Sequence, residues 1–486
     1  MMGGVGALGK RLGCDAGRVA PGAQRSRGSG RVDRAARAWE SASAPMPWSW
    51  QGVFGAFATG RSPGRARVEV AMRYAAAISD ASDLQRAIAE ACGEIQQAMA
   101  PERIALLIAA VTPHHAPRWS ALPQLLRAAL SVALADDAVV IGSSAPGVIG
   151  DGHEVEQRAG LSLWAASLPG AACRSFAIVD GGDLAPAREA LAEATAALSA
   201  GDPGASRTPA SPATLLLFVD PSRCPSGPLL TSLRREFPAV QVAGVLAGGG
   251  GFAQSSAVFL DDAPHSAVGV VIAGGTRREV LIAQGCRPIG APRLITRCRN
   301  EMVEELDGER PVEVLRNLYE SLDGPAQIQF RNGLRVGLEQ DPDRIRHDPG
   351  QMVMRPLRGV DAETGAMLLP EAPHPWQVVQ FHVRDAHAAH DALVATLAPE
   401  AANPSRVKGV WMVSCIGRGL SLYGRPGHDT DLVREAMPDA AIGGCFGLGE
   451  LGGEPSLVHL HSFATLLLLF VEDEAAPRIV GAEPGP

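Results

Sequence analysis

Ser414, Cys415 and Arg418 fall where the apolar run 410–416 breaks into a turn flanked by Gly417 and Gly419. A thiol at a strand end could attack an electrophile. An arginine there could grip a carboxylate through its two-pronged guanidinium. Gly417 and Gly419 leave that side chain uncrowded, and Arg418 is the expected partner of an acidic ligand group. Two glycine-rich stretches carry a second kind of chemistry. One runs through Ser143, Ser144 and Gly147, the other through Gly443, Gly444 and Phe446, each after a short apolar run. Glycines permit close backbone approach and leave N–H groups free to hold an anion. Glu450, just after the second stretch, could meet an ammonium group or face solvent. All of these residues except Gly417 are expected to bind ligand.

Weaker patterns bound the chemistry. The glycine stretches match neither the dinucleotide fingerprint nor a phosphate loop, so no cofactor is expected. His459 and His461, two apart on a strand, share one face. No third ligand stands near them, so no metal site is expected. His387 with His390 on a helix read as surface residues, and His114 with His115 after a strand is a similarly weak signal. Cys415 has no visible partner base, and a free cysteine is usually a small buried apolar group. The expectation is a binding protein, not an enzyme.

The elements that must position these groups recur. Residues 82–99 carry Leu84, Ile88, Cys92 and Ile95 at helical spacing, followed by the apolar strand 104–111, a helix over 122–134 and a strand at 139–141. Strand 215–219, helix 229–237 and strand 240–245 repeat the order. So do strand 410–416, helix 429–437 and strand 440–442. Each of these three copies ends in glycines, and further strands follow it. The fold class is α/β, with two related halves (67–274 and 284–471) built from mixed β-sheets flanked by helices. The second half opens with a helix at 311–322, Pro311 at its first position, then strands at 333–336, 352–354 and 378–383. Residues 199–212 read as a Gly/Pro/Ser loop inside the first half. Residues 1–66 are basic and acid-poor, fitting a transit peptide, an anion-binding tail or an over-extended gene start, and poor order is expected in each case. Residues 472–486 form a short tail.

With 46% hydrophobic and 20% charged residues among 486, the chain can bury several cores. A net charge of −8 argues against a general nucleic-acid binder. The longest apolar runs, such as 466–471, fall far short of the about 20 residues that span a bilayer. The cysteines are scattered without a CxxC pair, which speaks against a zinc ribbon. A soluble, cytoplasmic protein with reduced thiols and no membrane contact is expected.

The glycine stretches also carry a resemblance. IGSSAPGVIGDGHE at 141–154, followed by LSLWAASLPG, resembles the FIST N domain. VKGVWMVSCIGRG, DAAIGGCFGLGELGG and LHSFATLLLLF are similar to the FIST C domain, and 284–288 and 357–361 fit its opening and middle. Together they span about 68–471. The resemblance implies a sensory module of signal transduction that binds small ligands, with amino acids proposed, and that works through a separate output protein. Some members carry an F-box and act as substrate adaptors, but 1–66 lack that Leu-rich helical pattern. The residues after 471 are too few for an output domain. A stand-alone ligand-binding protein is therefore expected, with an interaction adaptor or a cysteine-dependent enzyme as the alternatives.

Overall fold

The computed structural model describes residues 72–179, 182–200, 212–249, 256–260, 263, 265–340, 352–453, 455 and 457–472. The expectations for 1–66, for nearly all of 199–212 and for the tail after Glu472 lie outside the described residues.

Three units repeat one plan. The first runs strand Arg73–Ser79, helix Leu84–Met99, strand Ile104–Val111, helix Leu122–Ala129, strand Leu134–Ser144 and strand Leu161–Ser167. The second has strands Ala171–Ile178, Thr214–Val219, Gln241–Leu246 and Ala267–Gly274, with helices Ala185–Ala200 and Ser226–Glu236 between them. The third has strands Arg277–Gln284, Val407–Cys415, Ala441–Gly447 and Ala464–Val471, with helices Ala386–Ala402 and His428–Ala436. In each sheet the unit's last strand lies between its first and second, antiparallel to both, and the second and third strands are parallel. Local sequence accounts for the elements. The Asp83 carboxylate accepts the Arg86 N–H at 3.0 Å and caps a helix that buries Leu84, Ile88, Cys92, Ile95 and Met99 on one face. Ile104–Val111 needs no polar alternation, because both of its faces are covered.

The register repeats as well. Ala109 pairs with Gly142, Leu217 with Gly244, and Met412 with Gly444. At each glycine a Cβ would strike the neighbouring strand's carbonyl oxygen, at 1.8 Å from Ala109, 2.6 Å from Leu217 and 1.8 Å from Met412. The glycine-rich stretches read as loops are therefore largely strand. Gly443 and Gly444 lie inside Ala441–Gly447, Ser143 and Ser144 end Leu134–Ser144, and Gly147 opens the strand Gly147–Gly150. Their clustering answers to close strand packing, and ladder pairing occupies this backbone, so it is no anion nest.

Each sheet is completed by a strand from another unit. The first unit's hairpin Gly147–Gly150 and His153–Glu156 docks on Ala441–Gly447. The third unit's Glu450–Gly453, paired to His459–His461, docks on Gln241–Leu246. The second unit's Val258–Phe259 docks on Leu134–Ser144. The exchange closes a ring, which covers sheet edges that would otherwise stand open. Inside it, the inward residues of all three sheets share one core that includes Ile108, Leu216, Trp411, Trp164 and Phe470. Trp164 and Phe470 lie 4.9 Å apart between ring centres, and the Trp164 Nε1 donates to the Ala441 carbonyl at 3.0 Å. Gly443 makes room for that indole, since a Cβ there would sit 2.9 Å from the Trp164 Cβ. The helices bury their apolar faces against the outer faces of the sheets.

Between Gln284 and the third unit's first helix the chain inserts a further layer. It is a seven-stranded antiparallel sheet in the order Val353–Pro356, Arg335–Leu338, Val378–Arg384, Cys286–Arg299, Met302–Leu306, Met367–Leu368 and Gly359–Val360. Helix Pro311–Ser321 packs on one face over Val336, Leu338, Val379, Phe381 and Val383. Alternation puts Arg335 and Gly337, and Gln380, His382 and Arg384, on the opposite face. The layer leaves and rejoins the third unit at adjacent points, since Cys286 pairs with Arg384.

Candidate ligand site at the neck of the inserted layer

Arg418 does not project from an exposed turn. The turn after Val407–Cys415, with Gly419 at φ +57°, swings the side chain inward until the residue is 0% exposed. Its Nε and Nη2 donate to Asp429 Oδ2 and Oδ1 at 2.6 and 3.2 Å, Nη2 to the Tyr423 hydroxyl at 2.9 Å, and Nη1 to the Phe463 carbonyl at 3.2 Å. Asp429 also accepts from Thr465 Oγ1 at 2.9 Å and lies 3.0 Å from His428 Nδ1. Burial opposes the Asp429 charge, but Arg418 and these hydrogen bonds outweigh it and hold the carboxyl well below the usual carboxylate range. The expectation of a ligand-facing arginine is thus corrected: Arg418 is a buried pin joining turn, helix and strand. Gly419 is equally committed. A Cβ there would lie 2.6 Å from Glu156 Oε1, which accepts the Leu420 N–H at 2.9 Å.

The other expected residues separate into two places. Ser143, Ser144, Gly147, Gly443, Gly444 and Phe446 belong to the strand exchange and the strands it joins. Ser144 Oγ accepts the Ala257 N–H at 2.9 Å, and the Phe446 ring presses where a Gly147 Cβ would stand, 2.8 Å away. Cys415 and Glu450 meet at the end of Val407–Cys415, while alternation puts Ser414 on the strand's other face; all three are buried. Glu450 is 0% exposed, neither open to solvent nor posed for an exposed ammonium group. Its Oε2 accepts the Ala464 N–H at 3.3 Å, while Oε1 has no partner. Burial raises its pKa well above the ordinary carboxylate value and so favours the uncharged acid. Burial, with this carboxyl alongside, also pushes the Cys415 thiol well up. A thiol so raised is a poor nucleophile at neutral pH. His459 and His461 are buried too, 6.1 Å apart between ring centres, with Arg234 Nη2 2.7 Å from His459 Nδ1.

Two arginines that are remote in sequence meet this corner. Arg335 and Arg384, on the non-core face of the inserted layer, place their guanidinium carbons 4.2 and 4.9 Å from the centre of the Phe463 ring. Phe463 holds a left-handed backbone at φ +61°, and Gly417 clears its ring, since a Cβ there would fall 2.2 Å from Phe463 Cε1. Arg384 donates from Nη2 to the Gly417 carbonyl, and Arg335 from Nη1 to the Leu334 carbonyl at 2.8 Å. Among the described residues neither meets a carboxylate, and the Nε of each is buried without a partner. Burial, with no acid to offset it, pulls Arg335 below the ordinary guanidinium range. The polar face continues with Gln380 Oε1, which has no partner, and with the His382 ring, which is 0% exposed and has only the Cys286 backbone to bond with. Burial lowers His382 to about 4, which keeps it neutral. The signal for this face was present in the alternation Val379-Gln380-Phe381-His382-Val383-Arg384. Its meaning depends on knowing that both faces of the layer are covered.

Among the described residues no group of three His, Cys, Asp or Glu could hold a metal ion, and no helix is long and apolar enough to cross a membrane. The corner offers cations, a buried carboxyl and an aromatic floor. That is equipment for binding.

The comparisons fit this architecture. An uncharacterized protein of Mycobacterium bovis is 29% identical over 405 residues, covering 83% of this chain and all of its own length. An uncharacterized protein of Mycobacterium tuberculosis is 29% identical over 403 residues, covering 82% of this chain and all of its own. Among solved structures, cyanuric acid hydrolase from A. caulinodans aligns over 82% of this chain and 99% of its own, at 10% identity and a TM-score of 0.29, too low to bear on fold or activity. The FIST N domain matches residues 105–309, from the second strand of the first unit into the inserted layer. The FIST C domain matches 311–453, from the layer's first helix through the docked strand of the third unit, and so the chain belongs to the FIST family of signal-transduction sensory domains.

Proposed function

We propose that this protein is a non-enzymatic cytoplasmic sensor that binds a small polar metabolite at the neck of the inserted layer and signals through a separate output protein. Amino acids are the first metabolites to test. The observation that carries the reading is the run of buried polar atoms without partners on the face formed by Arg335, Gln380 and Arg384. An orphaned buried donor or acceptor costs about 1–3 kcal/mol, and natural cores rarely tolerate several side by side. A polar ligand would supply the missing partners. The position suits sensing, because a ligand held there would touch the layer and the third unit where the two chain crossings meet. The raised Cys415 thiol supports binding over catalysis.

A melting screen across amino acids and related metabolites tests this. A true ligand at a hundred times its dissociation constant adds roughly 2.7 kcal/mol and raises Tm. A screen without any stabilising compound sinks the proposal. So does rapid alkylation of Cys415 at neutral pH, which would mark a thiolate.

A further inference from the structure

We infer that the group recognised at this neck is a doubly charged oxyanion, a phosphate or a pair of carboxylates, held by Arg335 and Arg384 over Phe463. The inference rests on the ligand-site reading above and names the ligand's chemistry.

Charge accounting leads to it. Arg418 is neutralised by Asp429, and burial pushes Glu450 toward its uncharged form, with Oε2 already accepting the Ala464 N–H. The thiols of Cys286 and Cys415 are both pushed up by burial and carry no charge at neutral pH. Two positive charges remain, those of Arg335 and Arg384. Elsewhere in the layer the covered arginine is paired, as Arg355 is with Glu371 at 2.6 Å, and the arginines without an acid, Arg316, Arg331 and Arg358, are exposed. Within the layer, only the neck leaves half-buried guanidiniums without acids among the described residues; outside it Arg278 also lacks one, but all its nitrogens are spent on Thr214 Oγ1 and on the carbonyls of Gly274, Thr276 and Pro212.

The donors left over suit an oxyanion. Arg335 spends only Nη1 on protein, which leaves its Nε and Nη2 edge, the edge that grips carboxylate or phosphate with two parallel bonds. Arg384 spends Nη2 and keeps Nε and Nη1. The Phe463 ring supports both guanidiniums through its face, an interaction that leaves in-plane donors free. A monoanion would neutralise one of the two cations, and a dianion neutralises both.

The probes are inorganic phosphate and succinate, titrated calorimetrically and by Tm into the full chain and into R335Q, R384Q and the exposed control R316Q. The expected result is binding of at least one dianion by the unmodified protein and by R316Q. Each neck variant should weaken it roughly tenfold to a hundredfold, the scale of a charge-assisted hydrogen bond. Without anion both neck variants should melt at or above the unmodified protein, because an unpaired covered cation is removed. Which probe binds more tightly distinguishes a phosphate from a dicarboxylate ligand. If neither dianion binds, or if the neck variants bind as well as R316Q, the inference is overturned. If a neutral or zwitterionic metabolite stabilises the protein while both dianions fail, only the charge assignment falls. If no compound binds at all, the ligand site itself falls.

Discussion

The three units share a register and differ in chemistry, and the third departs most. At the docked-strand position facing the common core, the first and second units supply Val148 and Val258, while the third supplies Glu450. Three residues beyond the partner of the repeated glycine (Ala109, Leu217 and Met412), the first two units place Thr112 and Asp220. Thr112 Oγ1 accepts the Gly160 N–H at 2.9 Å, and Asp220 Oδ1 accepts from Ser222 and Ser256 at 2.7 and 2.6 Å. Those side chains tie the strand end to neighbouring segments of the same unit. The third unit has Cys415 at that position, and its turn opens onto the inserted layer. Where the units agree, their residues serve packing. Where the third breaks the pattern, polar groups stand without partners. Repetition therefore marks scaffold, and departure from it marks the candidate site.

Two substitutions test the shared part and should have the largest effects. Gly444→Val drives a Cβ into the Met412 carbonyl, a backbone atom that cannot move without breaking the strand pair. It should cost more than about 4 kcal/mol and abolish soluble folding, as should Gly142→Val. Gly244→Ala, with 2.6 Å to the Leu217 oxygen, should be milder. Circular dichroism of the purified variants orders the three, and a folded Gly444→Val would show that the repeated glycine is incidental. Arg418→Ala comes next. It strands Asp429 without its cation in the interior, which costs about 3–5 kcal/mol. A drop of that size in urea unfolding confirms the pin. A variant of normal stability with lost ligand binding would return Arg418 to the site.

How much of this was legible in the sequence follows from the range of the forces involved. Strands such as Ile104–Val111 and helices such as Pro311–Ser321 were readable because apolar periodicity and helix starts are local. The three repeats were readable for the same reason. The strand exchange was not, because pairing of Gly147–Gly150 with Ala441–Gly447 leaves no trace in either segment alone. Arg418 was misread for a related reason: flanking glycines suggest an open turn, and Asp429, which pulls the side chain inward, lies a helix start away. Arg335 and Arg384 were missed because their common partner, Phe463, is distant from both in sequence.

Glu450 tests the departure itself. Its folded pKa is raised above an unfolded value of about 4.3, so its contribution is full below that pH. Stability should then fall as pH rises toward the folded pKa, by up to about 1.4 kcal/mol per unit. Glu450→Gln removes that slope, so the variant should gain on the parent between pH 5 and 7 in paired denaturation series. Parallel pH profiles would show Glu450 to be ionised when folded, with an unseen cation beside it.

The smallest expected effects come from adjacent serines that the sequence marks alike and the structure separates. Ser144 Oγ accepts the Ala257 N–H where the second unit's strand docks on the first. Ser144→Ala leaves that N–H without its side-chain acceptor at the docked strand, and should cost about 1 kcal/mol. Ser143 is 0% exposed and its Oγ has no partner, while the matching positions in the other units hold Val245 and Cys445. Ser143→Ala deletes an unsatisfied hydroxyl and should leave stability unchanged or slightly higher, since the lost packing of one small atom is offset by the removed desolvation penalty. Opposite signs in Tm for two neighbouring Ser→Ala changes, with ligand response retained in both, would place this strand end in the scaffold. If Ser143→Ala instead weakened the response to the ligand found by screening, the first unit would carry chemistry of its own, and the contrast with the third would be one of degree.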